Sequence, residues 1–136
     1  ETGGFSGGDM PHAWAAASYA TLVREMLISE NDGALELFMG VPDWWLEAEE
    51  SITLENAPTH FGALNLRTKS TVRRSDSGWD GVLTLEVSGA EPPEGFRWQL
   101  PEVPVQVDGP PGTRMDGHQL SIPTTGGAIQ LLFAAD

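Results

Sequence analysis

The stretch GGDMPHAWAAA, Gly7 to Ala17, sets an acid, a proline, a histidine and an indole side by side at Asp9, Pro11, His12 and Trp14. Nucleophilic catalysis has no support elsewhere: there is no G-x-S-x-G, and no Ser, His and Asp combination is specified by spacing. His12, His60 and His118 fall in three separate segments without zinc-ligand spacing. The loop Asp76, Ser77, Gly78, Asp80 offers oxygen ligands but lacks the spacing and terminal Glu of a calcium loop. No Walker A or G-x-G-x-x-G element stands between a strand and a helix. Neither a metal nor a cofactor is therefore expected. The tryptophans are the other candidates. Trp44 and Trp45 suit either a sugar-stacking platform or a plug beneath a sheet, and the plug is favoured because each indole buries a large apolar area. Trp79, at the tip of SDSGWDG, is expected to be exposed and is the better candidate for a glycan contact; Trp98 alternates with Phe96 and Leu100 and reads as core.

These residues need elements to hold them. Asp9 suits an N-cap and Pro11 the first turn, and helix formers follow to about Ile28, where Asn31, Asp32 and Gly33 end the helix. Beyond Gly33 the period becomes alternating. Strands are expected at Leu35 to Met39, Ser51 to Glu55, Ala63 to Arg74, Gly81 to Ser88, Phe96 to Leu100, Val103 to Val107, Gln119 to Ile122 and Ala128 to Phe133. The connections SDSGWDG, AEPPEG, DGPPG, MDGH and TTGG carry turn residues where hairpins want them, and VPDWWLEA predicts a short helical turn. The fold class expected is mainly β: an antiparallel β-sandwich over residues 34–136, preceded by one long buried α-helix within residues 1–30. The boundary at Glu30 to Gly33 is too short for a flexible linker, so helix and sandwich should pack together.

With 136 residues, 40% of them hydrophobic, the chain supports one domain with a core plus an appendage. Its formal charge of -13 argues against nucleic acid and against an anionic membrane surface, because both need basic patches. Between Arg24 and Arg67 there is no Lys or Arg, whereas Glu25, Glu30, Asp32, Glu36, Asp43, Glu47, Glu49, Glu50 and Glu55 all fall there. On one strand Arg67, Lys69 and Arg73 would share a face and neutralise part of that charge across neighbouring strands. Cysteine is absent, which leaves the compartment open. No apolar run approaches the ~20 residues of a membrane span. The opening ETGG carries neither a signal peptide nor methionine, so a chain cut from something longer, or processed, is expected.

From Ala13 to Val23 the only polar side chains are Ser18 and Thr21, with Tyr19 amphipathic. A helix apolar nearly all round is buried on most sides, and Ala13, Ala16, Ala17 and Ala20 let neighbouring helices come close. A sandwich covers only one of those sides. The segment GGDMPHAWAAASYATLVREML resembles the last inner helix of the six-hairpin α/α-barrel glycosidases, particularly proteins similar to bacterial α-L-rhamnosidases, in which a His-Ala/Gly-Trp element opens that helix. The continuation LELFMGVPDWWLEAEESITLENAPTHFGALNLR is similar to their strand, G-(V/L)-P-x-x-W-(L) turn and N-x-P-T-x-F-G hairpin. The likeness covers roughly Gly3 to Arg67, about half of the chain, and beyond Thr68 extends only to strand pattern.

The resemblance implies an active site at the barrel mouth, with His12 matching the histidine that contacts the sugar and Trp14 supporting the pocket wall. A helix N-terminus favours a neutral imidazole that can hydrogen-bond a hydroxyl, and indole packs on sugar C-H faces. Read from the residues alone, Asp9 caps the helix, His12 bonds a neighbouring carbonyl and Trp14 is core; a substrate role for all three stays open beside that. Glycoside hydrolysis generally needs two flanking carboxyl groups. In the resembled family the acid lies much earlier in the barrel and the base also precedes the histidine, whereas Glu1 is the only carboxylate upstream of Asp9 here. The resemblance thus implies a C-terminal part of a glycoside hydrolase that is silent by itself, with the upstream barrel of the same polypeptide or a partner chain, and a carbohydrate substrate, as its partners. The alternative is a free-standing β-sandwich that binds carbohydrate or protein and oligomerises through its helix. His60, in NAPTHFG, is expected to be a structural turn residue.

Overall fold

A computed structural model describes residues 26–48 and 50–135. Met26 and Leu27 are helical, and the chain then enters strand β1 at Ile28–Asn31, which folds back on β2 at Ala34–Leu37. The expected helix, with Asp9, His12, Trp14 and the alanines, lies outside the described residues except at its end. That end differs from expectation, because Ile28 is already strand. Asp32 and Gly33 have φ of 51° and 84°, the left-handed pair that a two-residue hairpin turn requires. Asn31-Asp32-Gly33 therefore closes a hairpin instead of stopping a helix.

A 3-10 turn at Asp43–Leu46 follows, as VPDWWLEA predicts. The remaining strands are β3 Thr53–Thr59, β4 Gly62–Ser70, β5 Arg73–Ser75, β6 Gly78–Ser88, β7 Phe96–Gln99, β8 Gln106–Asp108, β9 Arg114–Asp116, β10 Gln119–Ile122 and β11 Gly127–Phe133. They form a five-stranded sheet in the order β1-β2-β7-β10-β9 and a six-stranded sheet in the order β3-β4-β6-β11-β8, with β5 paired to β6. The pairings are antiparallel apart from β2 with β7, which run parallel in the register Leu35 with Phe96 and Leu37 with Trp98.

The alternation seen in the sequence explains the layering. Leu64, Leu66 and Thr68 of β4, Leu83, Leu85 and Val87 of β6, and Ile129, Leu131 and Phe133 of β11 turn one way and are buried. From the other sheet Leu35, Leu37, Phe96, Trp98, Leu120 and Ile122 are buried against them in one continuous core. These strands thus give one face to the core and one to water. Phe38 takes a φ of 60°, costly for a bulky side chain, and its ring lies 4.7 Å from that of Trp98. The ladder runs on past it, with Phe38 N-H bonding Leu27 O at 2.7 Å and Gly40 N-H bonding Met26 O at 3.2 Å. A Cβ on Gly40 would sit 3.3 Å from Met26 Cα, so the residue before the Val-Pro turn is one that lets two backbones approach.

Strand β3 is an edge, and it bulges. Leu54 faces Leu66 and Ala57 faces Leu64, so Glu55 and Asn56 together oppose Asn65. The extra residue brings Leu54 and Ala57 to the same face. Asn56, at φ 54°, donates its N-H to Asn65 Oδ1 at 3.0 Å.

The expected single strand from Ala63 to Arg74 is broken at Thr71 and Val72, where buried Val72 turns the chain into β5. Arg67, Lys69 and Arg73 therefore do not share one strand face. Register sets Arg67 opposite Glu86 and Arg73 opposite Asp80, while Lys69 meets Thr84. Arg74, by contrast, forms ion pairs, with Glu47 at 2.6 Å and Asp43 at 3.8 Å.

Thr68, 1% exposed, is the buried polar side chain of the described core. Its Oγ1 accepts from Ile52 N-H at 3.0 Å, and its own N-H donates to Ile52 O at 2.8 Å. Replacing Thr68 by Val leaves a buried donor unpaired and should cost about 1–3 kcal/mol. Urea unfolding should show that loss for Thr68→Val and a smaller one for Thr68→Ser, which keeps the acceptor.

Candidate functional site

The 3-10 turn at Asp43–Leu46 winds three residues per turn, so only part of its circumference can face the core. Leu46 takes that position at 3% exposure, and Trp45 is half-buried against the core. Trp44 points away and is 58% exposed. The paired-plug expectation thus holds for Trp45 and fails for Trp44, because four residues of tight helix cannot turn both indoles inward. The two rings meet edge to face, 5.9 Å apart at 77°.

The turn is held at both ends. Trp45 N-H donates to Pro42 O at 3.0 Å, Glu47 N-H to Trp44 O at 3.3 Å, and Ala48 N-H to Val72 O at 2.6 Å. Arg74 Nε donates to Glu47 Oε2 at 2.9 Å, which ties the turn to β5. Between this turn and the start of β3 lies a groove of about 390 Å³ lined by Leu27, Trp44, Trp45, Glu50, Ser51, Ile52 and Thr53. Leu27 and Ile52 are buried and form its floor, while Glu50, Ser51 and Thr53 are exposed on its rim. The alternation around Ile52 could have shown that Ser51 and Thr53 point together, but which surface they meet depends on the Trp44 turn.

Two further depressions lie along the six-stranded sheet. One, of about 260 Å³, shares Thr53 and adds Glu55, Asn65, Arg67 and Glu86; the other, of about 350 Å³, is lined by Thr84, Asp108 and Gln130 among others. Neither is lined by an aromatic side chain.

Trp79 is a correction. It is 2% exposed, its ring stands edge-on to Phe133 at 5.1 Å and 81°, and its backbone N-H donates to Glu102 Oε1 at 2.8 Å. Strand β6 begins at Gly78, three residues before the expected Gly81, so Trp79 is carried inward as a strand residue. A buried indole offers no stacking face to a glycan. Asp9, His12 and Trp14 lie outside the described residues. His60 occupies the β3–β4 turn, where its backbone N-H donates to Glu30 Oε2 at 3.0 Å and its Nδ1 pairs with Glu30 Oε1. Among the described residues no group of three His, Cys, Asp or Glu could hold a metal ion, and no helix is long and apolar enough to cross a membrane.

Contacts therefore run along one flank, made by β1 of one sheet and β3 of the other: Gly40 on Met26, the Trp44 groove on Leu27 and Ile52, and Glu30 on His60. Because the Arg74 ion pairs are exposed, Arg74→Ala should lower stability by no more than about 1 kcal/mol. The same variant should weaken the near-ultraviolet circular dichroism that arises from the Trp44–Trp45 pair, and Arg74→Lys should weaken it less. Comparison of the chain with protein-family models, curated proteins and solved structures returns no match.

Proposed function

We propose that the chain is the C-terminal part of a carbohydrate-active glycoside hydrolase of the six-hairpin type, in which a barrel helix carrying His12 precedes an antiparallel β-sandwich that buttresses the barrel. One observation carries this reading. The three segments that bear the resemblance, namely the end of the helix at Met26, the GVPDWWL turn and the NAPTHFG hairpin, converge on a single flank of the β unit.

That convergence has a physical rationale. Gly40 lets the turn lie against the Met26 backbone, and the Glu30–His60 pair fixes the hairpin beside β1. The chain enters the β unit on that same flank, next to Met39, which is 62% exposed. A β unit built to support a helical domain would gather its contacts where the helix arrives. On this reading His12 contributes a hydrogen bond to a sugar hydroxyl, Asp9 and Trp14 shape the pocket around it, and the carboxylates that break the glycosidic bond come from upstream polypeptide.

The chain alone should not hydrolyse aryl α-glycosides. Joined to the upstream polypeptide it should, and His12→Ala in that assembly should lower kcat/KM roughly 10- to 100-fold, the worth of one hydrogen bond to substrate. Turnover by the chain alone, abolished by His12→Ala, would overturn the assignment of the chain as a part that is silent by itself.

A further inference from the structure

We infer that the groove between the Asp43–Leu46 turn and the start of β3 is a binding site for a neutral pyranoside, with the Trp44 indole as its platform. This goes beyond the hydrolase assignment, since it rests only on the groove, and it holds whether or not a barrel precedes the chain.

Three features of the groove select this ligand. First, at about 390 Å³ it falls within the roughly 300–1,000 Å³ of small-molecule sites. Second, its lining joins an exposed indole to polar side chains: Trp44 is 58% exposed, and Glu50, Ser51 and Thr53 sit on the rim. A pyranose ring has the same division, with axial C-H bonds on its faces and hydroxyls around its edge. The C-H face packs on the indole while the hydroxyls meet a carboxylate acceptor and two hydroxyls that donate or accept. Third, the platform is fixed before the ligand arrives. The Ala48 N-H bond to Val72 O, the Arg74 bond to Glu47 and the edge contact with Trp45 hold the turn, so little ordering entropy remains to be lost on binding.

Charge decides among sugars. Among the described residues the lining holds Glu50 and no Lys or Arg, and on the adjoining turn Arg74 is already paired with Glu47 and Asp43. Glu50 repels an anionic sugar and the Arg74 guanidinium is engaged by two carboxylates, so neutral sugars are selected. β-D-Glucopyranosides, whose hydroxyls are equatorial, present axial C-H bonds on both faces and match the platform best.

The test is a titration of the full 136-residue chain with methyl β-D-glucopyranoside, followed through the indole N-H resonances of its five tryptophans in 1H–15N spectra. Trp44→Phe identifies the Trp44 resonance. Trp44 and Trp45 should shift together with a Kd on the order of 1–10 mM, while Trp79 and Trp98, which are buried, stay in place. Trp44→Ala should abolish the shift at Trp45 without loss of the native spectrum, because the side chain it removes is exposed. Glu50→Gln should raise Kd about 5- to 10-fold, as should replacing the probe by its C6 carboxylate. The proposal is overturned if no indole moves, or if the shifts survive Trp44→Ala. Trp44 proving shielded from quenching by acrylamide, a neutral probe, would also overturn it, for the groove would then be filled by polypeptide. Equal binding of the carboxylate probe would overturn the selection for neutral sugars. Aryl glycoside turnover is read separately, so a silent titration leaves the hydrolase assignment to its own test.

Discussion

The reciprocal hydrogen bonds between Thr68 and Ile52 are the constraint on which the rest of the described structure depends. They join the segment leaving the 3-10 turn to a central stretch of β4, inside a core that is otherwise apolar. In such surroundings a hydroxyl is tolerable only when its partner is fixed, so the pair specifies one register and penalises its neighbours. Once Ile52 is set, Thr53 must begin β3 opposite Arg67, and the bulge at Glu55 and Asn56 follows from the need to bring both Leu54 and Ala57 inward. The groove inherits its floor from the same contact, because Ile52 lies at its base.

Around that point two kinds of interaction divide the labour. Burial supplies the stabilisation: Trp98 alone, 1% exposed and packed on Phe38, is the kind of residue whose loss costs about 3–5 kcal/mol. The exposed ion pairs of Arg74 and the Glu30–His60 pair contribute little energy but decide where peripheral pieces sit. The first kind makes the β unit cohere. The second kind gives its flank a defined shape, and the sugar-binding proposal depends on that shape.

Much of the β architecture was legible in the residues because both sheets are half-buried, which imposes the period of two on β4, β6, β7, β10 and β11. What escaped was whatever a partner far along the chain decides. Asp32-Gly33 serves equally as a helix stop or as a hairpin turn, and only the pairing of Ile28 with Leu37 distinguishes them. Trp79 looked like a loop tip because Gly78 and Gly81 flank it; its inward course is set by β5 pairing with β6 and by Phe133, more than fifty residues on. Counting along one strand sets Arg73 on the face of Arg67 and Lys69, and the bend at Val72 breaks that count. For Trp44 and Trp45 the residue types were informative and their adjacency misleading, since neighbours on a tight helix point in different directions.

The parallel pairing of β2 with β7 bears on how the chain folds as it is made. Strands β3, β4 and β6 can zip through short connections, whereas Leu35 and Leu37 find Phe96 and Trp98 only when roughly sixty further residues have emerged, a wait of several seconds at ribosomal speed. Through that interval the β1–β2 hairpin holds Leu35, Leu37 and Phe38 without the strand that will cover them, and an isolated hairpin is marginal in water. The nascent chain therefore passes through a stage with an open apolar edge on β2, on the side away from β1.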